Sequence, residues 1–379
     1  MAQIMKALVV LAFLCSPFTV GIPSAMAKAD NPLKLGWNVQ TKGVLNLAPL
    51  VVGKLVIVIP TGKAMTAYHT RTGKIAWTYG SGNVWNRGFS SDGERIYVCL
   101  KGGRLAALNA KTGQEVWKRD LGINCQRAQH IEGDTLYVPT TYVGTGLANV
   151  PLHAAKLFVL NRFDGSTKWV FKSKAYLLQT PTTYGDTIYV GGSYLDPTFT
   201  EEESGSTRIY ALDKNTHKVK WIKESSDGVP KKLHATKDGL IYCGYNDFVF
   251  SLDAKTGNQN WVHDTANWIP SLVVENDVVY YGSATTIVHA LNIKNGRDIW
   301  RFNIPGQAFD YLLIKPVLVG DKFYFLSQRG HIYALNKNDG KQLWTYFTDM
   351  DARVGLSVGD GRIFIGASNG NLRSYKILK

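Results

Sequence analysis

A tryptophan returns at intervals of about one blade length, each time behind the same short motif, and this repeat constrains the fold more than any other feature. The units read AYHTRTGKIAW, ALNAKTGQEVW, VLNRFDGSTKW, ALDKNTHKVKW, SLDAKTGNQNW, ALNIKNGRDIW and ALNKNDGKQLW. They end at Trp77, Trp117, Trp169, Trp221, Trp261, Trp300 and Trp344, spaced 40, 52, 52, 40, 39 and 44 residues apart. That period suits one four-stranded propeller blade per unit. Within a unit, an alternating strand runs into a tight turn and returns. Asn109, Asn161, Asp213, Asp253, Asn292 and Asn336 open the turn, where a short side chain can bond backbone amides two residues on. A glycine such as Gly113 follows where the turn needs positive φ, and His217 replaces it once. The tryptophan on the return strand is expected to pack between neighbouring blades.

The two ends of the chain are each half a unit, and they complement one another. The C-terminus supplies RIFIGAS and NLRSYKILK but stops before the turn. The N-terminus supplies LKLGWNVQ, whose Trp37 lies 40 residues before Trp77 and is therefore in phase. The first strand should complete the last blade. The prediction is an all-β, eight-bladed propeller whose closure removes the exposed sheet edges.

Ahead of the propeller, Lys6 precedes an apolar run from Ala7 to Ile22, and Ser24-Ala25-Met26-Ala27 follows. This is the pattern of a signal peptide cleaved after Ala27, giving residues 1–27 as leader and 28–379 as propeller. The expected location is the periplasm or cell surface. A lipoprotein signal needs small residues before its cysteine, whereas Phe13 and Leu14 precede Cys15, so no lipid anchor is expected. The formal charge of +14 favours acidic partners, and export makes nucleic acid the least fitting of them. Beyond the leader stand Cys99, Cys125 and Cys243, an odd number that allows one internal disulfide at most. Cys99 and Cys243 lie in apolar strands, where a small buried hydrophobe is the usual role. No cysteine or histidine cluster suggests a metal site.

The pattern A-L-[DN]-x-x-T-G-x-x-x-W resembles the pyrroloquinoline-quinone (PQQ) repeat family across the propeller. Its long members are quinoprotein dehydrogenases, which hold the quinone under a disulfide of adjacent cysteines beside a calcium or lanthanide ion. Its short eight-bladed members, the BamB-like propellers of outer-membrane protein assembly, carry no cofactor. The chain has no Cys-Cys pair and is short, so the resemblance to the second group implies a non-enzymatic envelope scaffold. The implied partners are envelope proteins, met as a monomeric subunit of a complex peripheral to the outer membrane. Two alternatives remain: a small oxidoreductase using PQQ with calcium, and a binder of acidic polysaccharide.

Counting back from the turn that ends each inner strand places Arg87, Arg127 and Arg353 at one level. Lys232 stands one residue earlier in its blade, and Gln179 holds the matching place in blade four. Trp85 and Trp268, the non-repeat tryptophans, fall on opposite blades two and six. A cationic channel mouth flanked by aromatic faces would suit an anionic ligand such as an acidic glycan; ordinary packing at the channel wall is the competing expectation. His130 and His234 fall on inner strands. Blades three and four carry long insertions at 140–156 and 191–207, on the face where long loops often serve function. HExxH and P-loop motifs are missing, and no catalytic residue is assigned.

Overall fold

The computed structural model describes residues 31–142, 155–194, 207–225, 232–243, 247–267, 269, 271–284, 286–305, 316–350 and 354–378. The expected leader and Cys15 lie outside the described residues. All regular structure among them is strand, arranged as eight antiparallel sheets, the blades of a propeller. Lettered from the axis outwards, the strands of blade one are Leu50–Val52, Leu55–Val58, Met65–His69 and Ile75–Tyr79 (A to D). Blade four departs from this plan, because its inner strand is split into Leu177–Leu178 and Thr182–Tyr184, both paired with Thr187–Ser193.

Blade eight joins the two ends of the chain as expected. Its A, B and C strands are Leu356–Gly359, Arg362–Gly366 and Asn371–Ile377, and Leu33–Gln40 is its outer strand. The pairing runs antiparallel from Leu33 opposite Ile377 to Gln40 opposite Asn371, with a bulge between Leu35 and Trp37.

The core is eight separate apolar clusters, one between each pair of adjacent blades. Among the described residues, a repeated clamp closes six of the eight wedges from outside, while the Trp344 indole N–H has no hydrogen-bond partner. The indole N–H of Trp37, Trp77, Trp117, Trp221, Trp261 and Trp300 donates to a backbone carbonyl in the next blade's C–D turn, at 2.8–3.1 Å. The ring lies flat on the turn glycine, so this glycine answers two demands. At Gly113 φ is +71°, and a Cβ would sit 2.6 Å from the Trp77 ring. His217 adopts φ 62°, as a histidine can. Its imidazole meets Trp169 by stacking, ring centroids 4.5 Å apart and planes 16° from parallel.

Two further devices bind blade to blade. Arg162, Lys214 and Lys337 each follow the Asn or Asp that opens a C–D turn, and each pairs with a carboxylate on the inner hairpin of the preceding blade. The partners are Asp92, Glu132 and Glu275. Part of the basic charge is thus consumed in interblade ion pairs. On the opposite face, a hydroxyl four residues after the tryptophan staples the D–A linker to the B–C loop. Thr41, Ser173 and Thr348 donate to the carbonyls of Gly370, Ala155 and Gly330 at 2.7–2.9 Å. The D–A linkers and B–C loops therefore share one face.

Cys99 is not a buried thiol. It is bonded to Cys125, 26 residues on, with Cα atoms 5.6 Å apart inside the cluster between blades two and three. The burial expected from its apolar strand is correct, since both residues are 0% exposed, but the role is covalent.

Candidate functional site

The inner strands pack closely against one another. A Cβ on Gly88 would lie 2.4 Å from the amide nitrogen of Ala128, and one on Gly359 would lie 2.6 Å from Val51. Ser90 and Gln129 hydrogen-bond at 2.9 Å across blades two and three. The Thr180 hydroxyl donates to the Ala128 carbonyl at 3.0 Å, and Thr180 also forms a parallel bridge with Lys232.

This wall brings several of the expected residues together. Arg127 and Gln179 stand next to Ala128 and Thr180 in the chain, and Lys232 is bridged to Thr180. The three lie on successive inner walls of blades three, four and five, with Arg87 on the neighbouring strand Val84–Ser91 of blade two. Arg87 and Lys232 are exposed, Arg127 is half-buried, and Gln179 is 8% exposed. Arg353 and Trp268 lie outside the described residues. Trp85 is half-buried and packs on the core cluster that holds Cys99, Leu121 and Cys125. Its indole N–H is buried without a hydrogen-bond partner among the described residues. The strand carrying Trp85 and Arg87 has a register shift between Val84 and Phe89, so counting back from its turn does not fix which way each side chain faces.

His130 bonds the Thr183 hydroxyl at 2.8 Å and is half-buried. Burial lowers its pKa below the ordinary histidine value; Glu132 opposes that, and Lys232 and Lys214 reinforce it. His234 is half-buried on the inner strand His234–Thr236. Of the two long insertions, 143–154 and 195–206 lie outside the described residues.

A cavity that sequence reasoning missed opens at the seam of blades three and four, on the C–D turn face. It measures about 390 Å³ and is lined by Trp169, His217, Glu132, Lys214, Asp134 and Lys168 among others. It lies where the turn glycine is missing: His217 takes that place and stacks on the Trp169 ring. His217 in the glycine place was the available signal. The cavity's charges are already matched: Lys214 binds Glu132 at 2.6 Å, and Lys168 binds Asp134 at 2.6 Å. Such a pocket has little net charge with which to select an ion.

A family profile described as outer membrane protein assembly factor BamB matches residues 30–131, 101–228, 196–311 and 284–378. The chain belongs to this family. The BamB of Moranella endobia (strain PCIT) is 25% identical over 261 residues, covering 64% of this chain; the chain spans 62% of that relative's length. The crystal structure of BamB from Moraxella catarrhalis superposes with a TM-score of 0.62 at 20% identity, covering 91% of this chain and 99% of that one. Quinohemoprotein alcohol dehydrogenase from Comamonas testosteroni gives 0.66 at 15% identity, covering 92% and 77%. At those identities the two structures report a shared fold and no more.

The family's fold also houses PQQ, and the residues here do not fit that group. The dehydrogenases cover the quinone with a disulfide of adjacent cysteines, whereas Cys99–Cys125 joins residues 26 apart and is sealed in an interblade core.

Proposed function

We propose that this chain is a non-enzymatic scaffold of the cell envelope that docks other proteins during outer-membrane protein assembly. The observation that carries this reading is the match to the BamB family in four overlapping stretches from residue 30 to 378, which takes in every blade. The physics of the fold supports it. Eight separate cores, indole clamps and hydroxyl staples hold the ring rigid, so its loops and inner wall form a preorganised surface that loses little entropy on binding. In this reading the protein is exported and acts as a monomeric subunit at the periplasmic side of the outer membrane. Arg87, Arg127 and Lys232 give the mouth a positive potential that attracts acidic segments of a partner, and Gln179 supplies a neutral polar contact beside them.

Complementation tests the reading. In a bacterium deleted for its own family member, expression of this chain should restore outer-membrane protein levels towards wild type. Normal export of a folded protein without any restoration would count against it.

A further inference from the structure

The outer half of the seam between blades five and six gathers three metal-ligating side chains from the two blades. His263 lies on the D strand of blade five, Gln259–Asp264. His289 lies on the C strand of blade six, Ile287–Asn292, and Asp298 opens the D strand, Asp298–Asn303. One donor atom from each lies within 4.8 Å of the other two.

The surroundings make this more than a chance meeting. His289 is 5% exposed, and its Nδ1 is 2.9 Å from an Asp298 carboxylate oxygen. Tyr281 stacks on the His289 ring, 4.7 Å between centroids and 7° from parallel, which fixes the imidazole plane. Arg301 binds the other Asp298 oxygen and holds that carboxylate in turn. His263 stands edge-to-face to His289 at 6.1 Å. Two polar atoms here are buried without a hydrogen-bond partner among the described residues, Nε2 of His263 and the Tyr281 hydroxyl. Buried polar groups are nearly always satisfied, so unsatisfied atoms beside a fixed His–Asp couple ask for an occupant.

We propose that His263, His289 and Asp298 form a binding site for a zinc-like divalent ion that clips blade five to blade six. Two imidazoles and one carboxylate are the donor set of zinc and its late first-row neighbours, whereas calcium and magnesium demand oxygen shells. Zinc takes such donors at about 2.0–2.2 Å. The half-buried His263 is the ligand free to close that distance, while His289 and Asp298 are held by Tyr281 and Arg301. A fourth position is left to water. Because one ligand belongs to blade five and two to blade six, the ion would add a tie to a junction already closed by packing, the Trp261 clamp and the Lys237–Asp277 ion pair.

The test uses the untagged full chain, stripped of metal and titrated with zinc chloride by calorimetry, with cobalt(II) absorption as a second readout. The site predicts one tight zinc per chain, a tetrahedral cobalt spectrum with nitrogen and oxygen donors, and a higher melting temperature in zinc. His263→Ala should weaken that zinc by tenfold or more and abolish the melting shift, while His69→Ala changes neither. Zinc uptake unaffected by His263→Ala, or an octahedral cobalt spectrum in the wild type, would overturn the proposal. If His263→Ala does not fold, the wild-type cobalt spectrum decides alone.

Discussion

Replacing Trp37 by alanine isolates the joint that closes the ring. The indole lies on Gly73, where a Cβ would come within 2.8 Å of it, and packs 5.9 Å from Phe364 and 6.5 Å from Tyr68. Its N–H donates to the Thr70 carbonyl at 2.8 Å. Removing a buried tryptophan costs about 3–5 kcal/mol. Trp37 is only half-buried, so the lower end of that range applies. The effect should reach beyond the lost contacts, because Leu33–Gln40 is held to Asn371–Ile377 as a separate strand with no connecting turn. The assay is urea unfolding followed by far-ultraviolet circular dichroism, comparing midpoints of wild type, Trp37→Ala and Trp77→Ala. Trp37→Ala should fall by an amount equivalent to about 3 kcal/mol and should also expose the N-terminal segment to protease under native conditions. Trp77→Ala, which removes a buried indole, should lose at least as much stability without that local exposure. A Trp37→Ala midpoint within about 0.5 kcal/mol of wild type would refute the idea that this strand locks the ring.

Two further perturbations probe the interblade ties. Reducing the Cys99–Cys125 disulfide releases a 26-residue separation, for which chain entropy predicts a loss of about 3.5 kcal/mol; the Cys99→Ser/Cys125→Ser variant should melt lower, and the wild type should match it only in reductant. At Asp92, burial alone would raise the carboxyl pKa, but bonds from the Arg95 and Glu94 amides, Tyr97 and Arg162 outweigh burial and hold it below its ordinary value. A depressed carboxylate stabilises the fold above its unfolded pKa, near 3.9, and loses that contribution as pH falls through the lower folded value. Asp92→Asn should therefore cost about 1.5–3 kcal/mol near neutrality, with the gap to wild type narrowing below about pH 4. A gap independent of pH would show that the charge of Asp92 is not what matters.

The fold was legible because each blade repeats the same local physics. Asx turn, glycine and tryptophan recur in phase, and Trp37 betrayed the closing strand. The site was less legible for identifiable reasons. Cys99 looked like an inert core residue since its partner lies across a blade boundary, where sequence spacing carries no distance information. Trp85 and Arg87 were placed by counting along a strand that proved to contain a register shift. His217 was read for the φ it tolerates, and its stacking on Trp169 emerged only when the two blades were set side by side. Thr41, Ser173 and Thr348 share one offset from the tryptophan, a signal present in the repeat but masked where Leu121 and Ile304 stand instead. Arg162, Lys214 and Lys337 looked like part of a general basic surface until their carboxylate partners were in place.

The most direct test of the scaffold reading is site-specific crosslinking from the channel mouth in living cells. A photoreactive residue at Arg87 or Lys232, with one at the outer-edge Ile75 as control, is activated and the products are purified from envelope fractions. The account predicts defined adducts with outer-membrane assembly proteins from the mouth positions, reduced tenfold or more when Arg127 is also changed to alanine. Absence of any adduct above the Ile75 control, together with stoichiometric PQQ uptake and dye reduction by the purified protein, would contradict it.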